Sequence, residues 1–279
     1  MSKEEKLRRA ISNLLYIKEG IRIAPKDLRS TNKDKILSKE MLGIIDKNKE
    51  FITEIENTVE FIDSISHPTG IYKFMKVHAL EHGTQYKRQI LIKDKLVDID
   101  DYYEPKDKEQ YVIVMIDHIG LITPESEDGK LLSLHQSISK LSSNYLIKLR
   151  NKYNYIPVVI QQQAAALEST ENIRAELIKP SLNGLADNKL TQRDADVILG
   201  LFSPFRFKIP RYPKKDGYDI THFRDNIRFL EILGGREGGG GTICPLFFDG
   251  MVNYFEELPL PYKPLDEVYE KVRKIRIMK

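Results

Sequence analysis

The stretch YVIVMIDHIGLI, residues 111–122, decides how the rest of the chain is interpreted. Its first six residues are apolar, and a carboxylate, Asp117, follows them directly. A short run this apolar is typical of a strand buried on both faces, as in a parallel sheet. Ligands of open α/β sheets bind at the carboxyl ends of such strands, which makes Asp117 a candidate for a metal or phosphate site. A core strand that simply runs into a turn capped by Asp is an equal alternative.

The composition is that of an ordinary globular protein, with 279 residues, 41% hydrophobic and 30% charged. That length allows one large α/β domain or two small ones. The net charge of +3 is too small to indicate nucleic acid by itself. A single cysteine, Cys244, excludes a disulfide framework. No apolar run is long enough to cross a membrane, and the charged N-terminus is unlike a signal peptide, so we expect a cytoplasmic protein without a membrane partner.

Helical and strand patterns alternate over the first two thirds of the chain. Helical spacing predicts helices over residues 2–18, 38–49, 70–83 and 131–151, and apolar runs predict strands over 58–65, 111–122, 156–165, 194–202, 226–235 and 242–250. Polar composition predicts surface loops over 84–110 and 167–193. This order predicts an α/β fold with a mostly parallel sheet, flanking helices and antiparallel edge strands.

Three polar groups follow or precede the predicted strands. The glutamines of residues 161–163 end the strand VVIQQQ, where amides suit sensing a terminal phosphate or, equally, bonding to local backbone. Asp194 and Asp196 lead into the strand of TQRDADVIL, either shaping a polar loop or serving as turn residues. Arg236 stands between glycines in LGGREGGGG, which lets the backbone turn tightly and the guanidinium protrude. A solvated hairpin tip is the alternative for Arg236.

Several common catalytic motifs do not occur in the sequence. The segment DGKLLS, residues 128–133, has a Gly-Lys pair but lacks the earlier glycine and the following hydroxyl of a phosphate-binding loop. No Gly-x-Gly-x-x-Gly follows a strand, and no nucleophile elbow is present. The histidines are scattered and the cysteine is solitary, so spacing indicates no zinc site.

Taken in order, the motifs resemble the RecA-like motor domain of DnaB-type replicative helicases, particularly phage versions. VIVMIDHI matches the strand that supplies the Walker B Asp, here Asp117. IPVVIQQQ matches the strand that ends in a Gln, with Gln163 the first choice and Gln162 the second. TQRDADVIL matches the polar loop and the family's DAD strand. GGREG matches the late KxRxG, with Arg236 as arginine finger and Gly234 where the family has Lys.

The resemblance spans residues 1–258, which we expect to form a partial RecA-like ATPase domain followed by a basic tail over 259–279. MSKEEKLRRAISNLL resembles the segment that follows the family's Walker A helix, with Met1 at the Met of its SLEM motif. This alignment implies that the chain is the C-terminal part of a motor domain. The phosphate-binding loop and the catalytic Glu would then lie upstream, because of a split gene, an intron, an intein or a misplaced start codon.

The resemblance also implies an activity, ATP-dependent DNA unwinding, with ATP and Mg²⁺ as cofactors. Asp117 would hold Mg²⁺, Gln163 or Gln162 would read the γ-phosphate, and Arg236 would act on a neighbouring subunit's nucleotide in a six-membered ring. This chain alone is expected to be inactive, and a separate chain that carries the Walker A half is a candidate partner. The cytoplasm, that of the host if a phage encodes the protein, is the expected location.

Single-stranded DNA is the second partner that the resemblance implies. Loops 123–133 and 167–193 would face the channel, and their cations suit phosphate contacts, although solvated surface is the alternative; these are Lys130, Arg174, Lys179, Lys189 and Arg193. The basic tail is open to the same two interpretations. A RecA-type recombinase and an ATPase-inactive DNA-binding or regulatory module are the competing functions. The DAD strand followed by the late arginine favours the helicase.

Overall fold

The computed structural model describes residues 3–28, 37–164, 168–174, 178–185, 189–238 and 240–277. The chain is α/β and divides into two compact units. The first unit comprises residues 1–62, 199–232 and 241–279, and the second unit comprises 63–198 and 233–240. Among the described residues, no helix has the length and apolar character needed to span a membrane.

The first unit contains most of the antiparallel strands. Its helices are α1 (Lys3–Glu19), α2 (Lys39–Lys47), α3 (Lys49–Thr58), α9 (Ile220–Phe223) and α10 (Asp266–Ile277), and its strands are β8 (Arg211–Tyr212), β9 (Tyr218–Asp219), β11 (Ile243–Asp249) and β12 (Tyr254–Glu257). Strands β7 (Val197–Phe202) and β10 (Ile227–Gly235) each contribute residues to both units. The four longer strands form a sheet in the order β12-β11-β10-β7, and β11 is antiparallel to both β10 and β12.

The core of the first unit follows the alternation of these strands. Ile227 and Phe229 on β10 and Phe247 on β11 are buried, whereas the intervening residues are partly exposed. The Arg22 guanidinium forms a buried ion pair with Asp249, with Nε–Oδ2 and Nη2–Oδ1 distances of 2.6 and 3.0 Å. A buried carboxylate needs such a partner, because desolvation disfavours an unpaired charge.

The C-terminal segment is a helix packed into the first unit. Val272 and Ile275 of α10 are buried, and Lys271 pairs with Glu256 of β12. The predicted helical pattern of this segment is therefore confirmed, with two apolar positions turned inward. The domain boundary after residue 258 stays a prediction.

The second unit contains α4 (Pro68–His82), a long helical segment, and the only parallel pairing between the described strands. The order is α4, β1 (Gly83–Ile92), β2 (Lys95–Pro105), β3 (Ile113–Ile116), β4 (Ser126–Glu127), β5 (Lys130–Leu131), α5 (Leu134–Ser139), a π-helical stretch (Lys140–Leu146), α6 (Ile147–Tyr153), β6 (Ile156–Val159), α7 (Thr170–Arg174) and α8 (Leu190–Asp194). β3 and β6 pair in parallel, with Ile113 opposite Ile156 and Ile116 opposite Val159.

One face of the β3–β6 pair lies against helices. Val114 is buried in a cluster with Ile138, Leu141 and Leu149 of the helical segment and Met75 of α4. The helical segment starts at a capping box, in which the Ser133 hydroxyl accepts the Gln136 N–H at 3.2 Å and the Gln136 amide accepts the Ser133 N–H at 2.8 Å. The predicted helix over 131–151 is confirmed, interrupted only by the π-helical stretch.

Three sequence-based expectations need correction. The strand expected over 58–65 is wrong, because helix α3 continues to Thr58 on its own helical spacing of apolar residues and no strand follows. Residues 84–110 are largely a β-ribbon of β1 and β2, whose charged alternate residues hid the strand pattern. The mostly parallel sheet is reduced to the β3–β6 pair, since the other long ladders with a described register are antiparallel.

Candidate functional site

Asp117 lies directly after β3, and its side chain is exposed. The ends of β3 and β6 stay in register there, because Ile160 N–H donates to Ile116 O and Ile119 N–H donates to Ile160 O, both at 3.0 Å. Asp117 and the three glutamines therefore follow the carboxyl ends of neighbouring parallel strands. This is the edge at which ligands of α/β sheets bind. His118 next to it has a buried Nδ1 without a hydrogen-bond partner among the described residues.

The three glutamines point to different surroundings. Gln161 Oε1 accepts a hydrogen bond from Thr191 Oγ1 of α8 at 2.7 Å. Gln163 Nε2 donates to Ser181 O at 3.3 Å, and its backbone bridges Leu185, so this residue is tied to the polar loop that follows. Its Oε1 is buried without a partner among the described residues. Gln162 is exposed. Gln163 thus has the contacts expected of a residue that couples the strand end to the loop, and Gln162 has the accessibility expected of a sensor.

The residues around Arg236 form an arginine cluster, which we define as Arg150, Asp194, Asp196 and Arg236. Arg236 Nη1 lies 3.2 Å from Asp196 Oδ1, and its backbone N–H donates to Asp196 O at 3.0 Å. Arg236 Nη2 also approaches Asp194 O at 3.5 Å. The glycine-rich hairpin therefore rests against the segment just before β7, and the guanidinium is held at the surface.

Arg150 is the member of the cluster that the sequence did not single out. Its Nη1 donates to Asp196 Oδ2 at 2.7 Å and to Asp194 O at 3.1 Å. Arg150 stands in the last turns of α6 as one basic residue among several, so its spacing carried no signal. The only indication was indirect: Gly234 replaces the family's Lys and leaves a second cation to be found elsewhere.

Helix α8 connects the arginine cluster with the strand edge. Its Thr191 bonds to Gln161, and its last residue, Asp194, accepts hydrogen bonds from Ser142 Oγ at 2.7 Å and Ser143 Oγ at 2.6 Å. Asp194 therefore ends a helix instead of entering the predicted strand, which begins at Val197. One short helix thus contacts both groups of candidate residues.

The cations expected to contact DNA lie on the second unit. Lys130 is on β5 of a short hairpin with β4, and Lys179, Lys189 and Arg193 are exposed. Arg174 ends α7, and its side chain lies outside the described part of the chain. The roles of these cations stay predictions.

The second face of the β3–β6 pair is apolar and exposed, and we call it the open face. Ile113 and Met115 are 60% and 62% exposed, and Ile156 and Ile160 are exposed as well. Parallel pairing sets Ile113 beside Ile156 and Met115 beside Val158, so these side chains share one side of the pair. Apolar residues this exposed and contiguous are typical of a surface that another polypeptide covers.

The donor set suits Mg²⁺ better than a transition metal. Within the described residues, no three His, Cys, Asp or Glu side chains come together as a metal site. Asp117 alone offers an exposed carboxylate at the strand edge. Mg²⁺ is commonly held by one or two carboxylates together with water and substrate phosphates, so a single Asp is sufficient from this side.

No protein-family model and no curated protein matches the chain. Among solved structures, its fold is similar to that of the ATPase domain of a DnaB-like helicase, with a TM-score of 0.62 and 19% sequence identity. The match covers 93% of this chain and 72% of that chain. At this identity the similarity concerns the fold alone. The chain therefore has an α/β fold similar to an ATPase domain, in agreement with the RecA-like, DnaB-type fold that the order of motifs predicts.

Proposed function

We propose that this chain is the C-terminal part of an ATP-dependent replicative DNA helicase motor of the DnaB type, phage-like in its motifs. The observation that carries the proposal is the strand edge itself. An exposed Asp117 and the glutamines of 161–163 follow adjoining parallel strands in a fold similar to an ATPase domain.

The strand edge supplies the polar groups that an ATP site needs. The Asp117 carboxylate would hold Mg²⁺, because a hard cation prefers oxygen ligands. When bound, the ion neutralises negative charge on the nucleotide phosphates. Gln162, exposed beside Asp117, suits contact with the terminal phosphate, and Gln163, bonded to Ser181, suits transmission of that contact to the polar loop.

Arg236 would act on the nucleotide of a neighbouring subunit. Its guanidinium is half exposed and is anchored at the backbone by Asp196, as expected of a cation presented to another chain. Stabilising the charge of the transition state in this way contributes about 10³–10⁵ in rate in comparable NTPases. Action in trans requires a closed ring of subunits, which we propose to be a hexamer around single-stranded DNA.

The phosphate-binding loop would come from another polypeptide segment. The sequence contains no such loop, and part of the similar helicase ATPase domain has no counterpart in this chain. The open face, with Ile113, Met115 and Ile156, offers that segment an apolar surface on which to pack. We therefore propose that a segment carrying the Walker A half covers the open face, and that this chain alone does not hydrolyse ATP.

The test uses the native assembly, isolated through a tag on this chain, with its ATPase activity measured with and without single-stranded DNA. We expect DNA-stimulated hydrolysis that is lost in Asp117→Asn and in Arg236→Ala but kept in the neighbouring control Glu237→Gln. Intact-mass analysis of the polypeptide that contains Asp117 reports whether the Walker A half is on the same chain. Full activity of the Asp117→Asn assembly, or an assembly without ATPase activity, would contradict the proposal and favour a DNA-binding or regulatory module.

A mixing experiment tests action in trans. Subunits with Asp117→Asn and subunits with Arg236→Ala are each inactive alone, but random mixing in a ring leaves about a quarter of the interfaces with both residues intact. We expect activity to return on mixing. If both residues served the same subunit's nucleotide, the mixture would stay inactive.

A further inference from the structure

We propose that Arg150 and Arg236 together form a phosphate-binding site, and that the Asp196 carboxylate occupies this site when no ligand is bound. The ligand class is a phosphate group of a nucleotide. The site's role in hydrolysis rests on the proposed function, whereas its ability to bind a phosphate does not.

The geometry is that of two guanidinium groups converging on one carboxylate. Arg150 Nη1 lies 2.7 Å from Asp196 Oδ2, and Arg236 Nη1 lies 3.2 Å from Asp196 Oδ1. Each oxygen of the carboxylate therefore has its own guanidinium. Both arginines also approach the Asp194 carbonyl oxygen, at 3.1 and 3.5 Å, which fixes the two cations relative to each other.

A phosphate group can replace this carboxylate because both present oxygens that accept parallel N–H bonds from arginine. The charge balance favours the exchange. Two guanidinium groups face one carboxylate, since the other candidate anion, Asp194, directs its carboxylate to the hydroxyls of Ser142 and Ser143. A dianionic phosphate would match the two positive charges better than Asp196 does.

The surroundings allow the carboxylate to leave while the cations stay. The side chain of Asp196 is 51% exposed, so it can rotate into solvent, whereas Arg150 is only 25% exposed on a packed helix. The main chain beside Arg236 is held by its bond to Asp196 O, which does not involve the carboxylate. The site is therefore pre-organised, with Asp196 as an exchangeable counter-ion.

Arg150 also answers the departure at Gly234. The resemblance implies two cations on the late hairpin, and this chain has only Arg236 there. Arg150 reaches the same carboxylate from α6, so the second positive charge comes from a different element.

The experiment titrates the full chain with pyrophosphate and follows the arginine side-chain Nε–Hε signals by NMR. We expect the signals of Arg150 and Arg236, assigned from Arg150→Lys and Arg236→Lys, to shift together with one affinity. Arg150→Ala and Arg236→Ala should each weaken binding by about tenfold or more. Arg150→Lys should keep part of the affinity, because it retains charge without the planar fork.

Asp196→Asn separates this site from a merely structural network. Removing the competing carboxylate should tighten pyrophosphate binding by about threefold or more. A structural network predicts the opposite, because loss of the shared carboxylate would loosen both arginines and weaken binding. The matched control is the exposed Arg88–Asp101 pair of the β-ribbon, 3.6 Å apart, where Arg88→Ala and Asp101→Asn should leave binding unchanged.

The outcomes keep the two proposals apart. Pyrophosphate binding that needs both arginines, in an assembly without ATPase activity, would support the phosphate site and contradict the helicase function. ATPase activity that needs Arg236 but is indifferent to Arg150→Ala, with no joint NMR shift, would overturn the phosphate site and leave the helicase function intact. Thermal melting of each variant identifies any loss of folding, and Asp196→Asn then decides, because only binding to the site predicts tighter affinity.

Discussion

The two faces of the β3–β6 pair carry similar apolar side chains but have different surroundings. Val114 is 7% exposed under the helices of the second unit, whereas its neighbours Ile113 and Met115 on the open face are 60% and 62% exposed. The side-chain alternation of a strand accounts for the difference in direction, but not for the missing cover. The comparison teaches that an apolar strand shows which surfaces must be buried, and not whether its own chain buries them.

The largest expected effect comes from emptying the covered side. Leu149→Ala removes a fully buried side chain from the cluster that covers Val114, and we expect the free energy of unfolding to fall by about 2–5 kcal/mol. Leu131→Ala, at an exposed leucine of the same unit, should change it by less than about 0.5 kcal/mol. Urea unfolding followed by circular dichroism measures both, and equal losses would contradict the assignment of the covered side.

A smaller effect is expected at Glu125, which ties the loop after β3 to the covering helices. Its carboxylate accepts hydrogen bonds from Thr69 N at 2.9 Å and Thr69 Oγ1 at 2.7 Å and lies 2.8 Å from Lys140 Nζ. Burial by itself would raise the pKa of Glu125, but the bonds from Lys140 and Thr69 outweigh it and lower the pKa from 4.5 to about 2. The charged form is therefore the form that stabilises the fold.

The sign of the pH dependence follows from this lowered pKa. The stabilisation from Glu125 is fully present above about pH 4.5, the unfolded value, and is lost as the pH falls towards about 2. We expect Glu125→Gln to cost about 1–3 kcal/mol at pH 7 and progressively less below pH 4.5. Urea unfolding between pH 7 and pH 2.5 measures this. Glu127→Gln, at the exposed second partner of Lys140, is the control, and a pH-independent loss for Glu125→Gln would contradict the assignment.

The smallest effect on stability is expected on the open face. Met115→Lys combined with Ile113→Lys should change the unfolding free energy of the chain by less than about 0.5 kcal/mol, because both side chains already face solvent. The same substitutions should abolish association with the Walker A segment in the native assembly, measured by sedimentation of the purified complex. A large loss of stability in the chain alone would show that the open face is covered within the chain itself.

Much of the local structure could be predicted from the sequence. The apolar run of 111–116 gave β3, the spacing over 131–151 gave the long helical segment, and the late apolar runs gave β10 and β11. The β-ribbon of residues 83–105 escaped prediction because charged residues occupy most of both its faces. In the candidate site, Asp117, the glutamines and Arg236 came from motif order, and Arg150 did not.

The sequence by itself determined the strand ends, the order of the polar groups that follow them, and the absence of a phosphate-binding loop from these 279 residues. These features depend on neighbours along the chain, which local propensity and periodicity describe. Only the tertiary structure decided that Arg150 and Arg236 meet at Asp196, 46 and 40 residues away respectively, and that one face of β3 and β6 is left open. Such contacts depend on how distant segments pack, and no local pattern encodes that distance.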